Sequence, residues 1–208
     1  MQWNEIWSEA VNYLTHINAW ELIGLITGIL AVIFLIRQQM LTWPFGIAYV
    51  LVSFVVFWEA RLYGDFLLHV VFLVLNIYGW VHWVKGAGKE ELPVTQLNVT
   101  QAVRTLALTG ILIFLFAKFL IYIPSIFEGV DPPSLPYWDS TTSMLSVTGI
   151  WLQARKKIDN WYYWFVVDVL ATGIYFYKEL YFYAVLYLLY IGMAVAGYLA
   201  WKKSLKTN

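Results

Sequence analysis

Long apolar runs separated by short polar connections cover most of the chain after residue 18. A helix that crosses the hydrocarbon core of a bilayer needs about 20 mainly apolar residues. Seven runs approach that length, and polar breaks such as Arg37-Gln38-Gln39 and Arg155-Lys156-Lys157 divide them. We therefore expect an all-α integral membrane protein with seven spans, at residues 19–36, 42–59, 62–84, 103–125, 138–154, 160–177 and 181–201.

The chain also repeats itself at a fixed offset of 118 residues. Residues at this offset agree in type or charge between the two halves: Glu21 and Asp139, Arg37 and Arg155, Trp43 and Trp161, Gly79 and Gly197, and Trp83 and Trp201. The pattern predicts two parallel three-helix repeats, residues 19–84 and 138–201, joined by a linker span at residues 103–125. Parallel repeats occur in transporters that bind substrate near mid-membrane, at the repeat interface.

Basic residues are distributed unevenly between the two sides of this topology. The loops after the first, third and fifth spans, together with the C-terminal tail, carry ten of the 13 lysines and arginines. Cytoplasmic loops are enriched in these residues, so we expect the C-terminus in the cytoplasm and the N-terminus outside. The first eighteen residues contain Glu5 and Glu9 and no apolar stretch, which argues against a signal peptide.

Composition narrows the function classes. The chain is 61% hydrophobic and 12% charged, far from the values of soluble domains. Its net charge of zero argues against a nucleic-acid partner, and the absence of cysteine excludes thiolate metal sites and a cysteine nucleophile. No hydrolase, metalloprotease or phosphate-loop motif is present. A retinal-type receptor would need a lysine within its last span, which has none before Lys202. We expect no enzyme activity and no cofactor.

One face of the sixth predicted span combines aromatic rings with a carboxylate. Trp161, Trp164, Asp168, Thr172 and Tyr175 share that face at 100° per residue. A charged residue near the bilayer centre is costly, and it usually serves a substrate, an ion or a proton. Trp161 alone is equally well explained as an interfacial anchor.

Other spans add polar and aromatic groups. His69 and Asn76 form a stripe on the third span, Tyr49 lies on the second, and Tyr187 is the repeat counterpart of His69. A carboxylate among indoles and phenols suits a flat organic cation, through stacking and cation–π attraction. With Asp168 and His69 as the only candidate ligands, a metal site is not expected.

The motif Trp161-x-x-Trp164-x-x-x-Asp168 resembles the signature of the Pnu family of bacterial vitamin transporters. Asn76-Ile77-Tyr78-Gly79-Trp80 and Trp138-Asp139-Ser140 are similar to family sequences as well. The resemblance implies a full-length SWEET-like fold in the bacterial inner membrane. It also implies facilitated diffusion of an unphosphorylated vitamin, which a cytosolic kinase then traps.

The resemblance includes three departures that bear on the vitamin. Nicotinamide riboside members tend to have amides where this chain has Tyr49, His69 and Asp168. A carboxylate and aromatic groups favour thiamine, a permanent cation with a flat aminopyrimidine, and nicotinamide riboside is the alternative. Riboflavin is neutral and ranks third. The oligomeric state is left open, a homo-oligomer included.

Overall fold

The computed structural model describes residues 3–59, 63–86, 92–126 and 135–205. Within these ranges the chain is almost entirely helical. The helices are α1 Trp3–His16, α2 Ala19–Ile36, α3 Thr42–Glu59, α4 Tyr63–Lys85, α5 Val99–Ile126, α6 Pro136–Ala154, α7 Asn160–Tyr177 and α8 Tyr181–Lys203. The all-α class is confirmed, and α2, α3 and α7 begin and end at the residues expected from the sequence.

Five of the described helices are long and apolar enough to cross a membrane: α2, α3, α4, α5 and α8. Helices α6 and α7 have 19 and 18 residues, which is sufficient length, but their composition is more polar. Helix α6 contains the run Asp139-Ser140-Thr141-Thr142-Ser143, and α7 contains Asn160, Asp168 and many aromatic residues. Helices therefore lie at all seven of the expected positions, and five of them pass this test of length and hydropathy. That all seven cross the membrane stays a prediction.

Helix α5 begins four residues earlier than the predicted span because of a reciprocal cap. Asn98 Oδ1 accepts from the Gln101 N–H at 2.9 Å, and Gln101 Oε1 accepts from the Asn98 N–H at 3.1 Å. This capping box satisfies N–H groups that the first helical turn leaves free. The amphipathic helix α1 was not predicted, since it contains no apolar run of membrane-spanning length.

The helices pack in two sets of three. Helix α3 packs against α2 and α4, and α7 packs against α6 and α8. The sets meet where α4 packs against α6 and where α2 packs against α8, while α5 packs against α6 and α1 against α8. We call the end where α2, α4, α6 and α8 terminate the tryptophan end, and the opposite end the tyrosine end.

The turns after α2 and α6 have the same backbone conformation. Gln38 has φ 56° and Lys156 has φ 53°, a left-handed conformation that glycine usually supplies at helix C-termini. The next N–H in each turn, of Gln39 and Lys157, reaches back to a carbonyl of the final helical turn at 2.9 Å. These residues are related by the offset of 118, so the local backbone repeats together with the sequence.

Candidate substrate-binding site

Asp168 lies in the middle of α7 and is 6% exposed. Its backbone carbonyl accepts from Thr172 Oγ1 at 2.7 Å. No hydrogen bond or ion pair joins its carboxylate to any residue that the structure describes. Tyr187 and Tyr190 of α8 are close enough to interact with it electrostatically. The groups that interact electrostatically with this buried carboxylate are therefore phenols, and none of them is a basic side chain of the described residues.

A column of tyrosines leads from Asp168 toward the tyrosine end. Tyr187 stacks on Tyr175 with ring centroids 5.3 Å apart, and Tyr175 stacks on Tyr183 at the same distance. Tyr190 packs edge-on against Tyr187 at 5.8 Å. The column joins α7 to α8 and supplies aromatic surface beside the carboxylate, as a flat solute requires.

Helices α2 and α3 approach the same region at Gly28. A Cβ atom at Gly28 would lie 3.3 Å from Tyr190 Oη and 3.3 Å from Tyr49 Cδ2. The Tyr49 ring and the Tyr190 hydroxyl thus both lie against Gly28, which has no side chain. The predicted site residues Tyr49, Asp168 and Tyr187 are brought into one region between the helix sets, where Asp168 is buried and Tyr49 is 37% exposed.

His69 adjoins Tyr49 inside a box of aromatic rings. Its ring centroid lies 4.7 Å from that of Phe57, 5.0 Å from that of Phe72 and 6.0 Å from that of Tyr49. Nδ1 is 2.8 Å from the Asp65 carbonyl, and because a carbonyl only accepts, Nδ1 is the donor. Nε2 is buried and has no partner in the described part of the chain. A neutral ring would present Nε2 as an acceptor.

Asn76 is placed differently from His69, although both lie on one stripe of α4. Its Nδ2 donates to the Phe72 carbonyl of its own helix at 2.8 Å. A Cβ atom at Gly46 would lie 2.3 Å from Asn76 Oδ1, so the amide fills the space that glycine leaves on α3. The contacts of Asn76 are those of a packing residue between α3 and α4.

The two tryptophans of the motif have unlike surroundings. Trp161 is 2% exposed, packs edge-on against Trp201 at 5.6 Å and lies over Gly197, where a Cβ atom would be 2.3 Å from the ring. Trp164 is half-buried and packs against Gly149 of α6. Trp164 therefore remains the better placed of the two to contact a solute, and Trp161 belongs to the core of the tryptophan end.

Sequence reasoning missed the contribution of α1 to the tyrosine end. Tyr13 Oη donates to Glu21 Oε2 at 2.6 Å and lies 2.7 Å from Tyr183 Oη. Because the Tyr13 proton goes to the carboxylate, Tyr183 is the donor in the second bond. The Tyr13 ring also stacks on Phe182 at 4.5 Å. Burial and the hydrogen bond to Glu21 raise the pKa of the Tyr13 phenol above its usual range.

A sequence signal for this end was present in Asn18-x-x-Glu21. Asn18 Oδ1 accepts from the Glu21 N–H at 2.8 Å, and Asn18 Nδ2 donates to Glu21 Oε1 at 2.8 Å. This pattern marks the N-terminus of α2 and fixes the Glu21 carboxylate. It does not reveal that Tyr13 would be the second donor to that carboxylate.

Several long apolar helices around an interior carboxylate and an aromatic wall define a class of molecule. The class is that of multi-pass membrane proteins that carry small solutes between packed helices. Comparison with known proteins narrows this class.

A family model described as "Nicotinamide mononucleotide transporter" matches residues 18–203. The chain belongs to this family of membrane transporters, which is the Pnu family that the α7 motif indicated. It is a transporter of the vitamin-transporting PnuC type and not an enzyme.

Three relatives illustrate the range of the family. The chain is 25% identical to the nicotinamide riboside transporter PnuC of Escherichia coli, over 88% of this chain and 85% of that one. It is 26% identical to the riboflavin/roseoflavin transporter RibM of Streptomyces davaonensis, over 89% and 85%. It is 24% identical to the nicotinamide riboside transporter PnuC of Neisseria mucosa, over 96% and 78%.

The fold is similar to that in a crystal structure of the vitamin B3 transporter PnuC. The TM-score is 0.72 at 22% identity, over 95% of this chain and 87% of that chain. None of the relatives named above is a thiamine transporter. They support the alternative, nicotinamide riboside, better than the first expectation.

Proposed function

We propose that this protein takes up nicotinamide riboside by facilitated diffusion. The observation that carries the proposal is Asp168, a buried carboxylate without a basic partner among the described residues, beside the phenols of Tyr187 and Tyr190. The pyridinium ring of nicotinamide riboside is flat and positively charged, so it can stack on phenols and pair with a carboxylate. Two of the relatives are named for this vitamin.

The remaining site residues have two kinds of role in this proposal: some contact the substrate, and others pack behind those that do. Tyr49, Trp164 and Tyr187 supply ring surface, and His69 offers Nε2 as a polar contact next to Tyr49. Trp161 and Asn76 support the site from behind, because both fill space over a glycine. Substrate would move between the two helix sets, from the tyrosine end toward the tryptophan end.

The proposed topology has seven spans arranged as three, one and three, in the bacterial cytoplasmic membrane, with the tryptophan end in the cytoplasm. The repeated turns at Gln38 and Lys156 support two parallel repeats. So do the equivalent pairs in which Trp43 covers Gly79 and Trp161 covers Gly197. A kinase that phosphorylates the vitamin inside the cell would make uptake directional.

Thiamine is the second candidate, and Asp168 is also the observation that favours it. The carboxylate could pair with the thiazolium ring while the tyrosine column stacks on the aminopyrimidine. Riboflavin has no positive charge, so Asp168 would give it no ion pair.

Uptake by purified protein in liposomes tests both the class of transport and the substrate. Labelled nicotinamide riboside should equilibrate across the membrane without sodium, a proton gradient or ATP, and an excess of unlabelled nicotinamide riboside should compete. Faster uptake of thiamine under the same conditions would replace nicotinamide riboside as the substrate. Accumulation above the external concentration that an uncoupler abolishes would contradict facilitated diffusion.

A further inference from the structure

Four tryptophans form a row that crosses the bundle at the tryptophan end. The ring centroids of Trp43 and Trp83 lie 5.3 Å apart, those of Trp83 and Trp201 6.2 Å, and those of Trp201 and Trp161 5.6 Å. The first and last of these pairs pack edge-on. All four are buried. The first two belong to α3 and α4 and the last two to α7 and α8, so the row joins the two helix sets.

The two central indoles donate hydrogen bonds across the boundary between the sets. Trp83 Nε1 of α4 donates to the Ala154 carbonyl at the end of α6, at 3.1 Å. Trp201 Nε1 of α8 donates to the Leu35 carbonyl at the end of α2, at 2.9 Å. Each set therefore caps the other. The two bonds are nearly equivalent by the internal repeat, because Leu35 and Ala154 are only one residue farther apart than the repeat offset of 118.

The acceptors explain why these bonds are useful. The last carbonyls of a helix have no partner within the helix, and a buried unpaired carbonyl costs free energy. An indole N–H from the opposite set satisfies each of them in a place that excludes water. The outer indoles differ, because Nε1 of Trp43 and of Trp161 is buried without a partner in the ranges that the structure describes.

We propose that Trp83 and Trp201 act as a reciprocal lock that holds the tryptophan end closed and opens when substrate leaves there. The proposal rests on the transport function proposed above. A solute that passes between the two helix sets has to separate them at this end, where the row of buried rings crosses the boundary between the sets. Separation breaks both cross-boundary bonds and leaves the contacts within each set intact.

The chain contains no cysteine, which makes single-cysteine reporters free of background. Ala194 of α8 is 3% exposed and packs in the hydrophobic cluster of the tryptophan end. Ala184 of the same helix is fully buried near the tyrosine end, roughly 15 Å away along the helix axis. Reaction of Ala194→Cys and Ala184→Cys with a soluble maleimide, in nanodiscs that expose both faces, reports opening of each end.

Trp83→Phe and Trp201→Phe each remove one N–H donor and keep an aromatic ring. Each should raise the labelling rate of the Ala194→Cys reporter roughly three- to tenfold, as expected for the loss of one net hydrogen bond. The Ala184→Cys reporter should react no faster, because opening at one end does not loosen the other. A general loss of packing would raise both rates and would overturn the proposal.

Trp43→Phe is the matched control within the row, since it removes the same ring volume without removing a donated bond. It should leave the Ala194→Cys reporter close to its original rate. If Trp43→Phe accelerates labelling as much as Trp83→Phe, ring volume rather than the hydrogen bonds closes this end. If neither donor variant yields monodisperse protein while Trp43→Phe does, the two bonds are needed for the fold itself, and a gating role is refuted.

Labelling rates measured without substrate distinguish a failure of the lock from a failure of the proposed transport function. If native protein fails to carry nicotinamide riboside while the reporters respond as described, the lock stands and the substrate assignment falls. If uptake is normal and neither donor variant changes labelling, the lock is refuted and the transport proposal is unaffected.

Discussion

The two ends of the bundle are closed by different chemistry. At the tyrosine end, Tyr13 bonds to Glu21 and Tyr183 through side-chain oxygens, and one partner comes from α1 outside the two helix sets. At the tryptophan end, Trp83 and Trp201 bond to backbone carbonyls within a buried cluster. Side-chain hydroxyls can exchange their partners for water, whereas buried indoles and helix-end carbonyls lose theirs at a cost. The tyrosine end should therefore open more readily.

The largest effect should follow from filling the space under a tryptophan. A Cβ atom at Gly197 would lie 2.3 Å from the Trp161 ring, and overpacking of this kind costs about 3 kcal/mol. Gly197→Ala should lower the melting temperature strongly or prevent purification. Gly192→Ala is the control on the same helix, since nothing lies within 4 Å of a Cβ atom there. Equal stability of the two variants would show that the tryptophan end is not tightly packed.

A smaller effect, confined to the other end, is expected from Tyr13→Phe. The change keeps the ring on Phe182 but removes the hydroxyl that joins Glu21 to Tyr183. Hydrogen bonds to a carboxylate are stronger than neutral ones, so labelling of the Ala184→Cys reporter should rise roughly tenfold.

Tyr162→Phe provides the control for that measurement. It removes an exposed hydroxyl that donates to Tyr198 Oη at 3.1 Å and should change neither reporter. If Tyr13→Phe leaves the Ala184→Cys reporter unchanged, α1 does not close the tyrosine end.

The smallest effect concerns the segment 92–98, whose backbone bonds to the turn after α6. The Thr95 N–H donates to the Lys156 backbone carbonyl, and the Ile158 N–H donates to the Thr95 carbonyl. The Leu97 N–H donates to the side-chain Oδ2 of Asp159 at 2.8 Å. Burial raises the pKa of Asp159, and the Leu97 N–H partly offsets that shift. Asp159→Ala should destabilise the protein by about 1 kcal/mol through the unpaired N–H.

Asp159→Asn separates the hydrogen bond from the charge. Its Oδ1 can still accept from Leu97, and it avoids the cost of a buried carboxylate. Its melting temperature should equal or exceed that of the native protein. A loss as large as that of Asp159→Ala would mean that the charge, rather than the hydrogen bond, holds the segment.

Helix positions and the motif face were predictable because they depend on local patterns. The polar breaks at Arg37-Gln38-Gln39 and Arg155-Lys156-Lys157 place the ends of α2 and α6, and the period of 3.6 residues places Trp164 and Asp168 on one face. Family membership followed from the motif and is confirmed. The left-handed turn residues were not predictable, because glycine or asparagine is the usual signal there.

Contacts between distant residues could not be predicted. The sequence placed Trp161 on the same face as Asp168. In the structure its ring packs against Gly197, which has no side chain that could suggest the contact. The roles of Trp83 and Trp201 depend on which carbonyls lie beside them, and their sequence positions suggest only interfacial aromatics. Helix α1 lacks a spanning-length apolar run, and its two bonds to Glu21 and Tyr183 are made by one hydroxyl group, that of Tyr13. The substrate contacts of Asp168 remain a prediction.

The most direct test of the claim that Asp168 pairs with a cationic substrate varies the charge on the ligand and on residue 168. Nicotinamide riboside carries a pyridinium cation, and its dihydropyridine form is neutral with nearly the same shape. Titration of both ligands into native protein and into Asp168→Asn isolates the charge–charge contribution as a coupling free energy. We expect the native protein to prefer the cation, and Asp168→Asn to lose most of that preference. A coupling of about 1.5–7 kcal/mol would be in line with double-mutant cycles on close charge pairs. An unchanged preference in folded Asp168→Asn would contradict the account and leave Asp168 as a neutral hydrogen-bonding group.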